Sequence, residues 1–383
     1  MRWKDYEFAA MRRALDLARG GLGKVEPNPM IGAVIVRNGR IIAEGFHRRF
    51  GGVHAEISAR AAAAGRARGA EMFVTLEPCC HYGKQPPCAD AVISAGLSRV
   101  VVAMKDPFQL VRGRGLARLK KAGVKVSLGL LAREARDLNA PFVKLRTAGL
   151  PYTIAKFAMT ADGNIATASG DSRWISSQAS RRVVHALRGR VDAVIIGVDT
   201  AIADDPLLTA RPAGPRIAAR VVLDARARLP LSSKLVRTAL AAGAYEFPLL
   251  STARPRRGTE KAPLIVAVGA LAPRARVNAL RARGAGVIVL PGKDLVDVRA
   301  LLAELGRMEM TNVLVEGGAH VLGSFFAARA VDELIAFVAP KLIGRGLSPL
   351  AGWGVKRIRD AVTLRNVVCE PSGPDLMIRA RIQ

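Results

Sequence analysis

The sequence predicts two α/β domains in tandem, and three observations carry that expectation. At 383 residues the chain outgrows a single hydrophobic core, since cores stop growing near roughly 250–300 residues. Short β-rich apolar runs alternate with helix-forming stretches along both halves, the pattern of sheets covered by helices. A Gly/Pro break, Thr147-Ala148-Gly149-Leu150-Pro151, would end a helix and separates the two series, placing the domains at 1–147 and 152–383.

In the first series, residues 30–36 read as a strand, Asn38-Gly39 as a two-residue hairpin turn, and residues 40–44 as the returning strand. Residues 55–64 are rich in helix formers and stop at Gly65. Strands follow at 71–76, 99–104 and 124–128, with helices at 88–95 and 116–122 ended by Gly96 and Gly123. The alternation implies a mostly parallel or mixed sheet between two layers of helices. In the second series, strands are expected at 152–158, 192–196, 220–224, 264–268, 287–290, 313–315 and 334–338, and helices at 180–187, 295–305 and 321–328. Residues 254–261, polar and containing Gly and Pro, read as a surface loop.

Composition narrows the class. Half the residues are hydrophobic, enough for two cores, but no apolar run approaches the roughly 20 residues that cross a bilayer. The first residues, MRWKDYEFAA, lack the apolar stretch of a signal peptide. A cytoplasmic protein without membrane contact is expected. The net charge of +28 raises the question of nucleic acid. The excess is shared equally by the two halves, with no basic tail or block, so solvated arginines on ordinary faces account for it, and such a surface still attracts small phosphorylated molecules. The expected partner is thus a small molecule and not nucleic acid, with homo-oligomerisation left open.

The four cysteines are Cys79, Cys80, Cys88 and Cys369, three of them within ten residues. That spacing makes a poor disulfide framework and a good metal site. His54-Ala55-Glu56 opens a helix pattern, and Glu77-Pro78-Cys79 ends a strand, with Cys88 starting the next helix. An H-x-E followed by P-C and a second Cys is the zinc-deaminase signature, with His/Cys/Cys ligands and a Glu that does not bind the metal. Three protein ligands leave zinc a fourth position for water, and a carboxylate two residues after the His can carry that water's proton to a leaving amine. His54, Cys79 and Cys88 are the expected ligands and Glu56 the proton shuttle. The competing reading is a structural zinc closed by Cys80 or His81. Cys369, in an apolar stretch, is expected to be a buried small hydrophobe.

The stretch EPCCHYGKQPPCADAVISAGLSRVVVAMKDP, with Gly113-Arg114-Gly115 after it and Pro27-Asn28-Pro29-Met30-Ile31-Gly32 before it, resembles the deaminase half of the bifunctional deaminase/reductase family of riboflavin biosynthesis. KFAMTADGNIATASGDSRWIS, DTAIADDPLLTAR, LVEGGAHVLGSF and APKLIG continue the likeness, in order, into the second domain. The resemblance implies a cytidine-deaminase-like three-layer α/β/α domain followed by a dihydrofolate-reductase-like α/β domain. It implies zinc-dependent hydrolytic deamination of 2,5-diamino-6-ribosylamino-4(3H)-pyrimidinone 5′-phosphate. Reduction of the ribosyl side chain to ribityl by NADPH would follow.

The resemblance also implies roles. Asn28 would hydrogen-bond the pyrimidine, with His47 and Lys84 meeting the polar and phosphate end. In the reductase half, Ser172, Arg188, Leu208, Arg211 and Glu316 match substrate-contacting positions. Ala158, Trp174, Thr200 and Asp204 match NADPH-contacting ones, as do Gly317, Gly318, Ala319, His320, Val321, Leu322, Gly323 and Ser324. The glycines after Glu316 permit close backbone approach, and the helix start behind them suits a cofactor phosphate. Arg188 and Arg211 suit bidentate phosphate binding. Asp204 and Glu316 are the carboxylates available to assist hydride transfer, and the sequence leaves the choice between them open.

Three positions depart from the family. Phe108 stands where an Asn is expected, Val53 precedes His54 in place of Pro, and Cys80 replaces a common Ser. Phe offers neither donor nor acceptor, so weaker substrate affinity in the deaminase is expected. Two other classes compete: a nucleic-acid-editing zinc deaminase with an accessory binding domain, and a chain in which one half is a non-catalytic scaffold.

Overall fold

The computed structural model describes residues 2–82, 86–109, 111–240 and 261–382. Packing divides the chain into two compact units, Met1–Gly149 and Leu150–Gln383.

The first unit runs α1 (Asp5–Ala18), β1 (Gly32–Arg37), β2 (Arg40–Phe46), α2 (Ala55–Ala62), β3 (Glu71–Leu76), α3 (Cys88–Ser94), β4 (Arg99–Met104), α4 (Arg114–Lys121), β5 (Lys125–Leu128), α5 (Ala132–Leu138) and α6 (Ala140–Ala148). Its sheet has the order β2-β1-β3-β4-β5. β1 pairs antiparallel with β2 and β3, while β3, β4 and β5 are parallel. Asn38 (φ 51°) and Gly39 (φ 74°) both turn left-handed between β1 and β2, as the favoured two-residue hairpin requires. β3 and β4 are buried at every position after the first, because α1 and α5 pack on one face while α2, α3 and α4 form a row on the other. The ends of β3 and of the β2–α2 connection converge, and these carry the expected metal ligands.

The second unit contains β6 (Tyr152–Thr160), β7 (Ala166–Thr167), α7 (Gln178–Arg188), β8 (Ala193–Gly197), α8 (Val198–Asp204), β9 (Ala219–Leu223), α9 (Lys234–Arg237), β10 (Leu264–Gly269), α10 (Arg274–Ala282), β11 (Gly286–Leu290), α11 (Val298–Arg307), β12 (Asn312–Val315), α12 (Ala319–Ala327), β13 (Glu333–Ala339), β14 (Gly346–Leu347), β15 (Leu364–Ser372) and β16 (Asp375–Ile382). Its large sheet has the order β11-β10-β9-β8-β12-β6-β13-β16-β15. The first seven strands of that order are parallel, and β16 and β15 close the edge antiparallel. β12 lies between β6 and β8, so the chain reverses direction across the sheet there. In open α/β sheets, the crevice beyond the strand ends at such a point is where ligands bind.

The strands expected from the sequence all form, with ends shifted by one or two residues. α1, α5, α8, α9, α10, the short β7 and β14 and the β15–β16 hairpin were not anticipated, and α6 was expected only as a helix ending at the Gly/Pro break. Cys369 corrects an expectation: it is exposed, because it lies on β15, the outermost strand, where apolar side chains have no layer to pack beneath. The loop read at 254–261 falls outside the described residues apart from Lys261. No helix among the described residues is long and apolar enough to cross a membrane.

Candidate active sites

His54 immediately precedes α2, Cys79 follows β3, and Cys88 begins α3. Their ligand atoms all lie within 4.8 Å of one another. His54 Nδ1 is 3.1 Å from Cys88 Sγ and 3.7 Å from Cys79 Sγ, close to the ~3.5 Å that tetrahedral zinc with Zn–N and Zn–S bonds of about 2.0 and 2.3 Å requires. The donors are the two thiolates and one imidazole of a site with an open fourth position, so the residues fit the ion. The Cys88 amide donates to Cys79 Sγ at 3.2 Å. The hydrogen bond from the Cys88 side chain holds Cys79 well below the ordinary thiol range against burial, with His54 and the Cys88 amide acting in the same sense. Neither Cys80 nor His81 joins the cluster among the described residues.

Glu56 lies in the first turn of α2, 2 % exposed, and its Oε2 meets no hydrogen-bond partner. Burial pushes its carboxyl up to about 7, and the Cys79 charge adds to the effect. A carboxyl so placed can both take and give a proton near neutrality. Together with His54 and Cys79 it lines a cavity of about 280 Å³.

Asn28 and His47 line the same cavity and are joined: Asn28 Nδ2 donates to His47 Nε2 at 3.3 Å, and His47 Nδ1 donates to the Val53 carbonyl at 3.1 Å. Burial lowers the His47 pKa, which suits this neutral tautomer. The departure at Val53 is thereby explained, since only its backbone oxygen is used. Lys84 lies outside the described residues.

Two supporting residues were missed by sequence reasoning. Glu77, 2 % exposed, accepts from the amides of Asp106 (3.2 Å), Gly113 (2.9 Å) and Leu116 (3.2 Å). A Cβ on Gly115 would lie 2.1 Å from the Pro78 carbonyl, so the Gly-x-Gly is the surface against which the Cys79 loop closes. Asn139 exchanges two hydrogen bonds with the backbone of Met30, at 2.8 and 2.9 Å, and holds the loop that presents Asn28. Partners this distant in sequence leave no periodic signal. Glu77→Ala would orphan three amides, each costing about 1–3 kcal/mol if kept from water. We expect a fall in stability of roughly 3 kcal/mol or more and weakened zinc retention, measured by calorimetry and elemental analysis.

In the second unit, Glu316 follows β12 and Arg188 ends α7. They form a bidentate pair, Nε to Oε1 at 2.6 Å and Nη2 to Oε2 at 2.9 Å. Arg188, expected to contact the substrate, has its Nε and Nη2 engaged by Glu316. Register places Lys156 of β6 beside Glu316, since Val315 pairs with Ala155. Burial lowers the Lys156 pKa, Glu316 opposes that and Arg188 adds to it. This lysine was also missed, although a single charge inside the apolar run YTIAKFAMT is a visible signal.

Gly317 and Gly318 connect β12 to α12. A Cβ on Gly317 would lie 2.4 Å from Ile196 Cα, and one on Gly318 3.0 Å from Thr200 Oγ1, with φ +31°. The side-chain-free cradle at the start of α12, with Thr200 beside it, fits a dinucleotide phosphate. Ala319, His320, Val321, Leu322, Gly323 and Ser324 all lie on α12, and Ala158 is on β6 two residues beyond Lys156. Asp204 is 40 % exposed and bonded to Arg173 at 2.9 Å. Trp174 is exposed, with Arg181 4.6 Å over its ring, and Ser172 is exposed. Leu208 is buried with φ 57°. Arg211 is exposed, its amide 3.2 Å from His185 Nδ1 of α7.

A three-layer unit bearing a His/Cys/Cys donor set, followed by a parallel-sheet unit with a glycine cradle at its reversal point, defines a zinc-dependent deaminase joined to a nucleotide-dependent reductase. Comparison with known proteins agrees. Residues 4–104 match the cytidine and deoxycytidylate deaminase zinc-binding region, and residues 151–378 match the RibD C-terminal domain. The riboflavin biosynthesis protein RibD of Aquifex aeolicus (strain VF5) is 38% identical over 369 residues, 96% of each chain. That of Escherichia coli (strain K12) is 36% identical over 384 residues, 96% of this chain and 97% of the relative. The solved structure of Acinetobacter baumannii RibD, form 1, superposes with a TM-score of 0.83 at 33% identity, covering 99% of both chains. The deaminase/reductase from Thermotoga maritima gives 0.78 at 32% identity with the same coverage. The chain belongs to the RibD family of riboflavin biosynthesis proteins.

Proposed function

We propose that residues 1–147 hydrolyse the exocyclic amine of 2,5-diamino-6-ribosylamino-4(3H)-pyrimidinone 5′-phosphate, and that residues 152–383 reduce the ribosyl group of the product with NADPH. The observation that carries the first step is the clustering of His54, Cys79 and Cys88 at a cavity that His54, Cys79 and Glu56 line, with a buried Glu56 oxygen that meets no hydrogen-bond partner. Zinc supplies Lewis acidity toward the attacking water. Glu56 would relay that water's protons, one to the amine, which leaves as ammonia, and one to the adjacent ring nitrogen, so that a carbonyl forms. Asn28, oriented by His47, holds the pyrimidine edge.

When bound, NADPH would supply a hydride for C1′, and the protein would have to deliver a proton to the ring oxygen as the ribosyl group opens to ribityl. Of the two carboxylates, Glu316 suits the reaction better than Asp204. It is buried beside Lys156 and Arg188, where a fixed charge array acts in low dielectric, whereas Asp204 stands on the exposed rim. Gly317, Gly318 and Thr200 would hold a cofactor phosphate. The match of both units to one biosynthetic family supports this reading, with a cytoplasmic location, over nucleic-acid editing.

Zinc removal separates the two activities. The chelated full-length enzyme should release no ammonia from the diaminopyrimidine nucleotide, yet still oxidise NADPH when given the deaminated nucleotide. Loss of both activities together would contradict the assignment of zinc to the first unit alone.

A further inference from the structure

Past the end of β9 the chain reads Asp224-Ala225-Arg226-Ala227-Arg228-Leu229, and this turn is held from several sides. Asp224 Oδ2 accepts from the Leu229 amide at 2.7 Å, and the Asp224 carbonyl from the Ala227 amide at 3.0 Å. The Ala225 carbonyl accepts from the Gly269 amide at 3.0 Å. Arg276 of α10 donates to the carbonyls of Ala227 and Leu229 at 3.0 and 2.7 Å. Ala227 and Leu229 are fully buried, which leaves Arg226 and Arg228 exposed between them. The two arginines reach different neighbours. Arg228 Nη2 donates to Asp199 Oδ1 at 2.6 Å. Asp199 lies in the first turn of α8, one residue before the Thr200 that flanks Gly318. Arg226 pairs instead with Asp294, which follows β11 at the far edge of the sheet.

The buried charges, Lys156 on β6 and Glu316 after β12, place the reacting end of a bound dinucleotide on the β6–β12 side of the glycine cradle. The adenosine end then lies across the next strands of the sheet order, β8 and β9. Where a dinucleotide crosses a parallel sheet in this way, an acidic residue near the adenosine ribose meets a 2′-hydroxyl, and an arginine accommodates a 2′-phosphate. Both kinds of residue stand here, already joined. Their side chains are 51 % and 78 % exposed, and an ion pair so open to water contributes little and is readily exchanged. We propose that Arg228 exchanges Asp199 for the 2′-phosphate of NADPH and so sets the preference for NADPH over NADH. The guanidinium fork suits a phosphate, with two parallel hydrogen bonds, and the 2′-hydroxyl of NADH offers it no charge. Asp199 acts in the opposite sense, competing for Arg228 and repelling the phosphate. The inference rests on the reading of the second unit as an NADPH-dependent reductase.

The test is calorimetric titration of the full-length protein with NADPH and with NADH, no substrate being present, and its readout is the ratio of the NADH Kd to the NADPH Kd. Arg228→Gln should lower that ratio roughly 10-fold, the loss usual for a hydrogen bond between charged groups. Arg228→Lys should keep part of it, retaining the charge without the fork. Asp199→Asn should raise the ratio roughly 2- to 5-fold, the scale of an exposed ion pair. Arg226→Gln removes the same charge two residues away on the Asp294 side and should leave the ratio near wild type. A fraction of misfolded sample lowers the stoichiometry and leaves the ratio alone. An unmoved ratio in Arg228→Gln overturns the proposal. Equal falls in Arg228→Gln and Arg226→Gln also overturn it, since they reveal only the general attraction of a basic surface for phosphate. Wild-type protein that binds both dinucleotides equally well has no preference for Arg228 to set. Protein that binds neither strikes the reductase reading itself, and this proposal with it.

Discussion

Glu56→Gln is expected to lower deaminase turnover by about 100- to 10,000-fold, the contribution typical of a general acid–base residue, while leaving the zinc content unchanged. Glu56 is not one of the three clustered donors, so its amide isostere has no reason to release the metal. The substitution removes the carboxyl that burial places at about 7, and an amide cannot take and return a proton. KM should change little, because the lost interaction belongs to the transition state. Cys88→Ser should behave differently, losing metal and deamination together. Elemental analysis beside ammonia release distinguishes the two, and retention of both metal and activity in Cys88→Ser would remove it from the ligand set.

The metal site was legible because its chemistry demands unusual residue types at short spacings: His54 and Glu56 two apart, Cys79 after a strand, and Cys88 at a helix start. The parallel strands were legible as apolar runs because helices cover both their faces. The β15–β16 hairpin was not. β15 is exposed over eight of its nine residues, so no buried face imposes a period of two, and Pro371 reads as a strand breaker although an edge strand tolerates it. α1 buries Ala10, Ala14 and Ala18 beside Glu7, Met11 and Leu15, an apolar stripe too small to stand out in an alanine-rich chain. The supporting groups were illegible for another reason. Glu77 with Gly113, Asn139 with Met30, and Arg188 with Glu316 are contacts across 36, 109 and 128 residues. Each residue alone is an ordinary polar one, and its role exists only once the fold joins the pair.

Glu316→Gln is expected to destabilise the reductase unit and to abolish NADPH oxidation while sparing deamination. The Glu316 side chain is 6 % exposed and that of Arg188 15 %. Removing one member of a buried pair leaves an uncompensated charge and costs about 3–5 kcal/mol. Here the cost falls on two cations, because Glu316 is also the influence that keeps the Lys156 pKa from falling further. Without it, Lys156 faces burial and Arg188 together and gives up its proton more readily. The sign for stability follows. A lysine depressed in the folded state binds its proton less tightly there than in the unfolded chain, so the unfolded state holds more protons and stability rises with pH. That rise runs between the lowered folded pKa and the unfolded value near 10.4, and it should begin at lower pH in Glu316→Gln than in wild type. Calorimetry of the full-length proteins across this range, with ammonia release as the control for the first unit, tests the point. A variant as stable as wild type at neutral pH, with the same pH dependence, would show that Arg188 and Lys156 do not depend on Glu316 for their charge.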